Sequence, residues 1–461
     1  MYQDRIANEE TFSAEELENS FPLDIGRRFN SEAGVRLRDG VLAAMAAKEE
    51  ATGERKRKRR PSAEKRLRDT VEALLCNLAA GHLNEYDPER YVGVSFNTSA
   101  YSHTDLDAVV MRSCRDHLLE EGLIEVAAGF RNHAANFGRR SRLRASPRLR
   151  NLIDDLGLGR RSLTIAHSQI IRIKQPVESL PPIPNRVEAS RDLLSAINAR
   201  LAVTDIRLDA GLEAVLKTSP IEDEGEDQDA RDRKRRYAGD RTAKALYRAF
   251  KHDWGHGGRI YGGWWMSEKR IWRPYLRIDG QRTVELDYKV LHPRLLYRRA
   301  EAPMPTDPYL FGDWGSEDMR NLGKRTFNRL LNRVERDPAK RLTMRAARGD
   351  PAILPKGTSF KQYLATFAHH LSEIQHWFGT GEGIRLQYED SELAISVLRR
   401  MEGLGIVTLP IHDSFIVAKD HEAQLHDTMV EAFFELFGEV PAIDRKDPRD
   451  FPLSTSGLVH N

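Results

Sequence analysis

Long apolar runs are absent from this chain. Across its 461 residues nothing approaches the roughly 20 consecutive apolar positions that a helix needs to cross a bilayer, so no membrane partner is expected. Cysteine is scarce. Cys76 and Cys114 are the only two, they sit in apolar helical contexts without a Cys-x-x-Cys spacing, and both are expected as reduced core residues rather than disulfide partners or zinc ligands. Met1 to Ser20 is acidic and lacks the basic-then-apolar pattern of an export signal, which gives a cytoplasmic expectation. A Gly-x-Ser-x-Gly elbow is missing too, so the pair His412-Asp413 has no hydrolase nucleophile upstream to serve.

What is present describes a globular chain, with 40% hydrophobic and 31% charged residues and a length that suggests two or three domains. The net charge of +3 is small but unevenly spread. Arg55-Lys56-Arg57-Lys58-Arg59-Arg60 is an unbroken basic run, which suits a solvated tether, a phosphate contact or an import signal alike. Glu222 to Asp227 runs directly into Arg231 to Arg236, a charge block with no apolar face and a natural loop.

Four segments follow from the patterning. Residues 1–60 read as a mobile segment with a short helix over Glu32 to Lys48. In residues 61–153 the spacing of Val71, Leu74, Leu75 and Leu78, and of Leu106, Val109, Val110, Cys114 and Leu118, predicts two amphipathic helices. A strand at Leu123 to Val126, a basic loop and a return segment Ser141 to Ala145 come next. This order resembles a winged helix-turn-helix, with Thr104 to Glu121 as recognition helix, and the resemblance implies DNA contact through Arg112, Arg115, Arg131, Arg139, Arg140, Arg142 and Arg144. Residues 154–240 read as scaffold and charged linker, and 241–461 as the chemistry-bearing domain.

Two aspartates in that last domain close or interrupt apolar strands, in Val284-Glu285-Leu286-Asp287-Tyr288 and in Leu409-Pro410-Ile411-His412-Asp413-Ser414-Phe415. Carboxylates converging from separate strands are hard oxygen ligands suited to Mg²⁺ and to two-metal phosphoryl transfer. Their 126-residue separation has to be closed by the fold. Between them Arg320, Lys324, Asn328 and Asn332 recur every four residues, which places them on one stripe of a helix.

Taken in order, Gly257-Gly258-Arg259-Ile260-Tyr261, Asp287-Tyr288 through His292, Arg320 to Asn332, Gln387 and His412-Asp413-Ser414 resemble the motifs of the family A DNA polymerases and the phage-type single-subunit RNA polymerases. The resemblance spans about residues 241–440. It implies an α+β fold, a right-hand palm built on an antiparallel sheet with helical fingers. It also implies Asp287 and Asp413 as ligands of two Mg²⁺ ions, with Mn²⁺ an alternative, and Lys324 as a catalytic cation. Arg320, Lys324, Asn328, His292 and Tyr288 would bind the nucleoside triphosphate, and Arg259, Tyr261, Gln387 and His412 the DNA template and primer. Asp390 and Glu392 read as first-turn dipole partners of the helix that Gln387 opens.

The pattern departs from the family in two places. His292 stands where DNA polymerases carry a bulky acidic residue against the ribose 2′-hydroxyl and RNA polymerases a glycine, and Asn328 and Asn332 stand where an aromatic is expected. DNA synthesis is the favoured expectation. An RNA polymerase or primase, an inactive DNA-binding replication initiator, and a nuclease using the same two carboxylates are the alternatives.

Overall fold

The computed structural model describes Leu17 and residues 20–446, apart from 54, 56, 85–88, 102–103, 105, 133–136, 174–179, 219–242, 312–315, 344–353 and 355. The charge block over Glu222 to Arg236 lies outside the described residues. Helices combine with mostly antiparallel sheets, an α+β arrangement organised around two large apolar clusters. No helix among the described residues is long and apolar enough to cross a membrane.

The first cluster is built on α1 (Glu32–Thr52), α2 (Pro61–His82), α3 (Ala108–Glu120) and α4 (Pro147–Asp155). These pack on a sheet of β1 (Phe21–Pro22), β3 (Val92–Val94), β7 (Ser141–Ala145) and β4 (Ile124–Ala127). Proline at the first position of α2 gives up a donor that would be unsatisfied there anyway, and from Thr70 to Gly81 every residue is buried, so the helix is enclosed on all sides rather than along the one apolar stripe its spacing predicts. Between β4 and β7 lies a short hairpin of β5 (Phe130–Asn132) and β6 (Phe137–Arg139). The core starts well ahead of Pro61, because Phe21, Phe29, Leu37, Val41 and Met45 belong to it. Residues 21–52 are therefore packed rather than a mobile leader. Single aromatics flanking a turn carry no periodicity, which is why the sequence does not announce them.

The second cluster holds three layers. Its centre is a sheet in the order β10 (Ile206–Leu208), β13 (Leu276–Ile278), β14 (Gln281–Tyr288), β16 (Ser414–Ala418), β15 (Leu409–Ile411), with β17 (Ile443–Lys446) also paired to β14. Because β10 precedes the charge block, the central sheet includes a strand from the segment that reads from sequence as scaffold. A smaller sheet runs β12 (Gly257–Tyr261), β11 (Tyr247–Phe250), β9 (Ile171–Ile173). Around them pack α5 (Asn185–Val203), α7 (Leu291–Arg299), α8 (Glu317–Asn332), α9 (Phe360–His370), α10 (Gly383–Gly403) and α11 (Glu422–Phe437). A polar strut joins the two clusters: Asp24, held low in pKa by Arg172 and Arg27 despite its burial, receives the Arg172 guanidinium at 3.0 Å, and Arg172 lies 3.5 Å over the Tyr247 ring.

Arg248 on β11 ties the second cluster together. Fully buried, it donates to Gly258 O (2.8 Å), Ser190 Oγ (3.1 Å), Ser391 Oγ (2.9 Å) and Glu392 Oε1 (2.8 Å), linking β12, α5 and α10. Removing one partner of a buried ion pair leaves the other uncompensated. Arg248→Met is therefore expected to cost roughly 3 kcal/mol of folding stability, read as a lower urea midpoint, and adding Glu392→Leu should recover part of the loss.

Candidate active site

The two aspartates meet on the central sheet. Asp287 and Ser414 are directly paired across β14 and β16, and the Tyr288 amide donates to the Asp413 carbonyl at 3.1 Å. His412 and Asp413 form the two-residue turn between β15 and β16, with His412 at φ 57°. Val290, just beyond β14, also has a positive φ of 48°. A left-handed conformation strains both side chains, the β-branched Val290 more, and strain of this kind concentrates at functional sites. Helix α7 begins after Val290 with no side-chain cap, so Asp287 is not its N-cap.

Burial first, and then the negative charge of Asp413, push the Asp287 carboxyl up to about 6, against the pull of Lys446. Lys446 Nζ lies 2.9 Å from Asp287 Oδ2 and 2.7 Å from Oε1 of the buried Glu285. The repulsion between the two aspartates is what a cation between them would relieve, so the pair suits a hard metal. Among the described residues no group of three or more His, Cys, Asp or Glu side chains is disposed to hold a metal by itself. Two protein carboxylates with the remaining ligands from substrate and water is the arrangement Mg²⁺ takes at such sites.

Beside the pair stands a second polar cluster. Asp390, almost fully buried on α10, receives Arg259 Nε at 3.0 and 3.1 Å from its two oxygens and His292 Nε2 at 2.9 Å. Burial raises its carboxyl, but the hydrogen bonds from His292 and Arg259 outweigh that and hold it below the usual range. Arg259 and His292, which the motifs assign to template and nucleotide, thus share one anchor. The His412 ring packs edge-on to Tyr261 at 5.8 Å, and burial together with the Arg259 charge lowers its pKa. Asp390 and Glu392 are not first-turn dipole partners as their sequence position suggests. They lie two turns into α10 and bind Arg259 and Arg248.

Helix α8 turns Met319, Leu322, Thr326, Phe327, Leu330 and Leu331 inward and leaves Lys324, Arg325, Asn328 and Asn332 exposed. Lys324 has no hydrogen bond or ion pair among the described residues. Arg320 is already engaged, its Nε 2.5 Å from Asp307 Oδ2 and its guanidinium over the Tyr309 ring. Burial, and after it the charge on Asp413, raises the Tyr309 hydroxyl pKa, so the segment leading into α8 is within electrostatic reach of the aspartate turn. Gln387 on α10 is half-buried.

Tyr288, which the motifs assign to the nucleoside triphosphate, lies on the face of the sheet opposite Asp287: successive residues of β14 alternate, and its hydroxyl donates to Met429 O at 2.6 Å, against α11. Gly257 and Gly258 are buried, and a Cβ on Gly258 would meet Arg248 and Ser391 at 3.0 Å. Their lack of a side chain lets the strand pack closely against α10.

In the first cluster the candidate DNA-contacting arginines are largely occupied. Arg112 donates to Phe96 O, Arg115 pairs with Asp116 and lies over Phe96, Arg139 lies over Phe130, Arg142 donates to Leu17 O and Arg140 O, and Arg144 pairs with Glu125 and Glu89. Arg140 is exposed, and the side chain of Arg131 lies outside the described residues. Helix α3 leaves Val109, Ser113 and Glu120 exposed, with Arg112 and Arg115 half-buried beside them. Within the basic run Arg55 and Arg59 both clasp Glu49, leaving Arg57, Lys58 and Arg60 exposed.

Compared with known families and curated proteins, the chain matches no family model and no curated sequence.

Because folding raises the Asp287 pKa from its ordinary value near 3.8 to about 6, the native state retains a proton that the unfolded chain releases. Stability then falls as pH climbs through that window, and the loss is complete above it. Asp287→Asn is expected to stabilise the fold at pH 7 by about 1–3 kcal/mol and to confer no gain near pH 4, measured by urea unfolding across that range.

Proposed function

We propose that this protein is a template-directed nucleotidyltransferase that joins nucleoside triphosphates on a DNA template, with Asp287 and Asp413 as the ligands of two Mg²⁺ ions, Mn²⁺ serving as an alternative. The observation that carries the reading is the juxtaposition of Asp287 at the end of β14 with Asp413 in the turn that leads into the paired strand β16, at a charge-repulsive, partly buried spot. When bound, the ions would supply Lewis-acid charge to the attacking hydroxyl and to the triphosphate. The protein's own groups do the rest. Exposed Lys324 on α8 offers positive charge to the phosphates and a proton from Nζ to the departing pyrophosphate. Asn328 extends the same stripe. Arg320 would have to exchange Asp307 for phosphate to take part.

Right-hand palm and fingers are the architecture this reading assigns to residues 241–440. Within it Arg259, Tyr261, His412 and Gln387 line the side where template and primer terminus would lie. The first cluster is assigned the holding of DNA as a winged-helix unit, with Arg140, Arg57, Lys58 and Arg60 as its available cations rather than the arginines of α3.

Deoxynucleotides are the favoured substrates, on the bulk of His292. One feature favours ribonucleotides instead: with Nε2 of His292 donating to Asp390, Nδ1 is the ring atom left to accept a hydrogen bond from a sugar hydroxyl.

Primer extension with labelled nucleotides separates these possibilities. Wild type is expected to extend, and Asp287→Asn and Asp413→Asn to lose on the order of a thousandfold in rate while remaining folded. Deoxy- and ribonucleotides, each with and without primer, distinguish DNA polymerase, RNA polymerase and primase. Extension retained in either aspartate variant would refute the assignment.

A further inference from the structure

The strand β17 delivers one side chain that the polymerase reading leaves without a task. Register pairs Glu285 with Lys446 and Asp287 with Asp444, which puts the Lys446 ammonium on the same face as both Glu285 and Asp287. It contacts Oε1 of Glu285 at 2.7 Å and Oδ2 of Asp287 at 2.9 Å, and its own side chain is only 14% exposed. Glu285 is 3% exposed and accepts also from Ser414 Oγ at 3.0 Å and Arg273 Nη1 at 3.3 Å, all on Oε1. Its other oxygen, Oε2, is buried with no hydrogen-bond partner. A nearly dry carboxylate with one orphaned oxygen is costly unless it serves a ligand or a mobile cation.

Resting on the metal assignment above, we propose that Lys446 is a resident counter-cation that competes with the divalent ion for Asp287, with Glu285 as the seat to which the ammonium withdraws when metal enters. A single ammonium offers one charge and three donors, whereas a divalent ion offers two charges at the same oxygen, so the ion displaces the lysine only by overcoming an existing pair. Lys446 is thus a positioning residue. It keeps the acidic floor compact before loading and sets the metal concentration at which loading occurs, and the seating of β17 on β14 becomes part of metal affinity.

The test is Mn²⁺ binding by the full chain, followed through the electron paramagnetic resonance signal of the free ion. Removing a unit positive charge from beside a ligand carboxylate is expected to tighten Mn²⁺ binding at least about tenfold in Lys446→Met. Lys446→Gln, which keeps hydrogen-bonding capacity without the charge, carries the same expectation should the methionine variant misfold. Lys446→Arg should stay near wild type. Lys289→Met, which removes an exposed cation that pairs with Asp444 at 3.2 Å, should change affinity less than about threefold. Wild-type binding that depends on Asp287 but is unchanged or weakened in the methionine and glutamine variants overturns the competition. Absence of any Asp287-dependent Mn²⁺ binding in wild type overturns the metal assignment itself, and the competition with it.

Discussion

The ladder between β14 and β16 is the constraint from which the rest follows. Five paired positions, Thr283 to Asp287 against Ala418 to Ser414, bring two carboxylates together that would repel each other in solution. What holds them is on the other face of the same strands. Leu286, Tyr288, Phe415 and Val417 are buried there, and the Tyr288 hydroxyl is satisfied by α11, so a one-residue slip would turn the apolar set to the carboxylate side and press the carboxylates against α11. Apolar burial on one side of a sheet thus sustains electrostatic repulsion on the other. The left-handed His412 and Val290 both lie just beyond the Asp287–Ser414 end of this ladder and add backbone strain there.

Buried ion pairs form a second layer of order around that ladder. Arg248 fixes β11 and β12 to α5 and α10, and Asp390 then fixes Arg259 and His292 over the aspartates. Each cation is matched to an anion on a different element, so the cluster specifies where α10 lies along β12 more sharply than apolar packing alone would. The strut from Asp24 through Arg172 to Tyr247 extends this logic to the first cluster, since Tyr247 pairs in register with Tyr261. The N-terminal half is in this way mechanically continuous with the strand that carries Arg259.

Part of the candidate site is legible in the sequence. Asp287 and Asp413 stand out because an acidic residue among strand-forming apolar neighbours violates the local pattern, and the α8 stripe stands out because it is periodic. Residues that act across the fold leave no such mark. Asp390 and Glu392 look like ordinary acids near a helix start, and only the approach of β11 and β12 gives them Arg248 and Arg259. Lys446 reads as one more charge in a polar tail until β17 pairs with β14. For Tyr288 the sequence does contain the local rule: strand alternation puts it on the face opposite Asp287. In the segment over Phe21 to Thr52 the helix α1 is legible, whereas the packing of Phe21 and Phe29 ahead of it is not, because those residues follow no repeat.

Whether a metal binds between Asp287 and Asp413 is most directly measured by replacing it with Fe²⁺ and mapping hydroxyl-radical cleavage of the polypeptide after adding ascorbate and peroxide. Cuts clustered beside residues 287 and 413, suppressed by excess Mg²⁺, are the predicted result. Cleavage elsewhere on the chain, or a pattern indifferent to Mg²⁺, would contradict it.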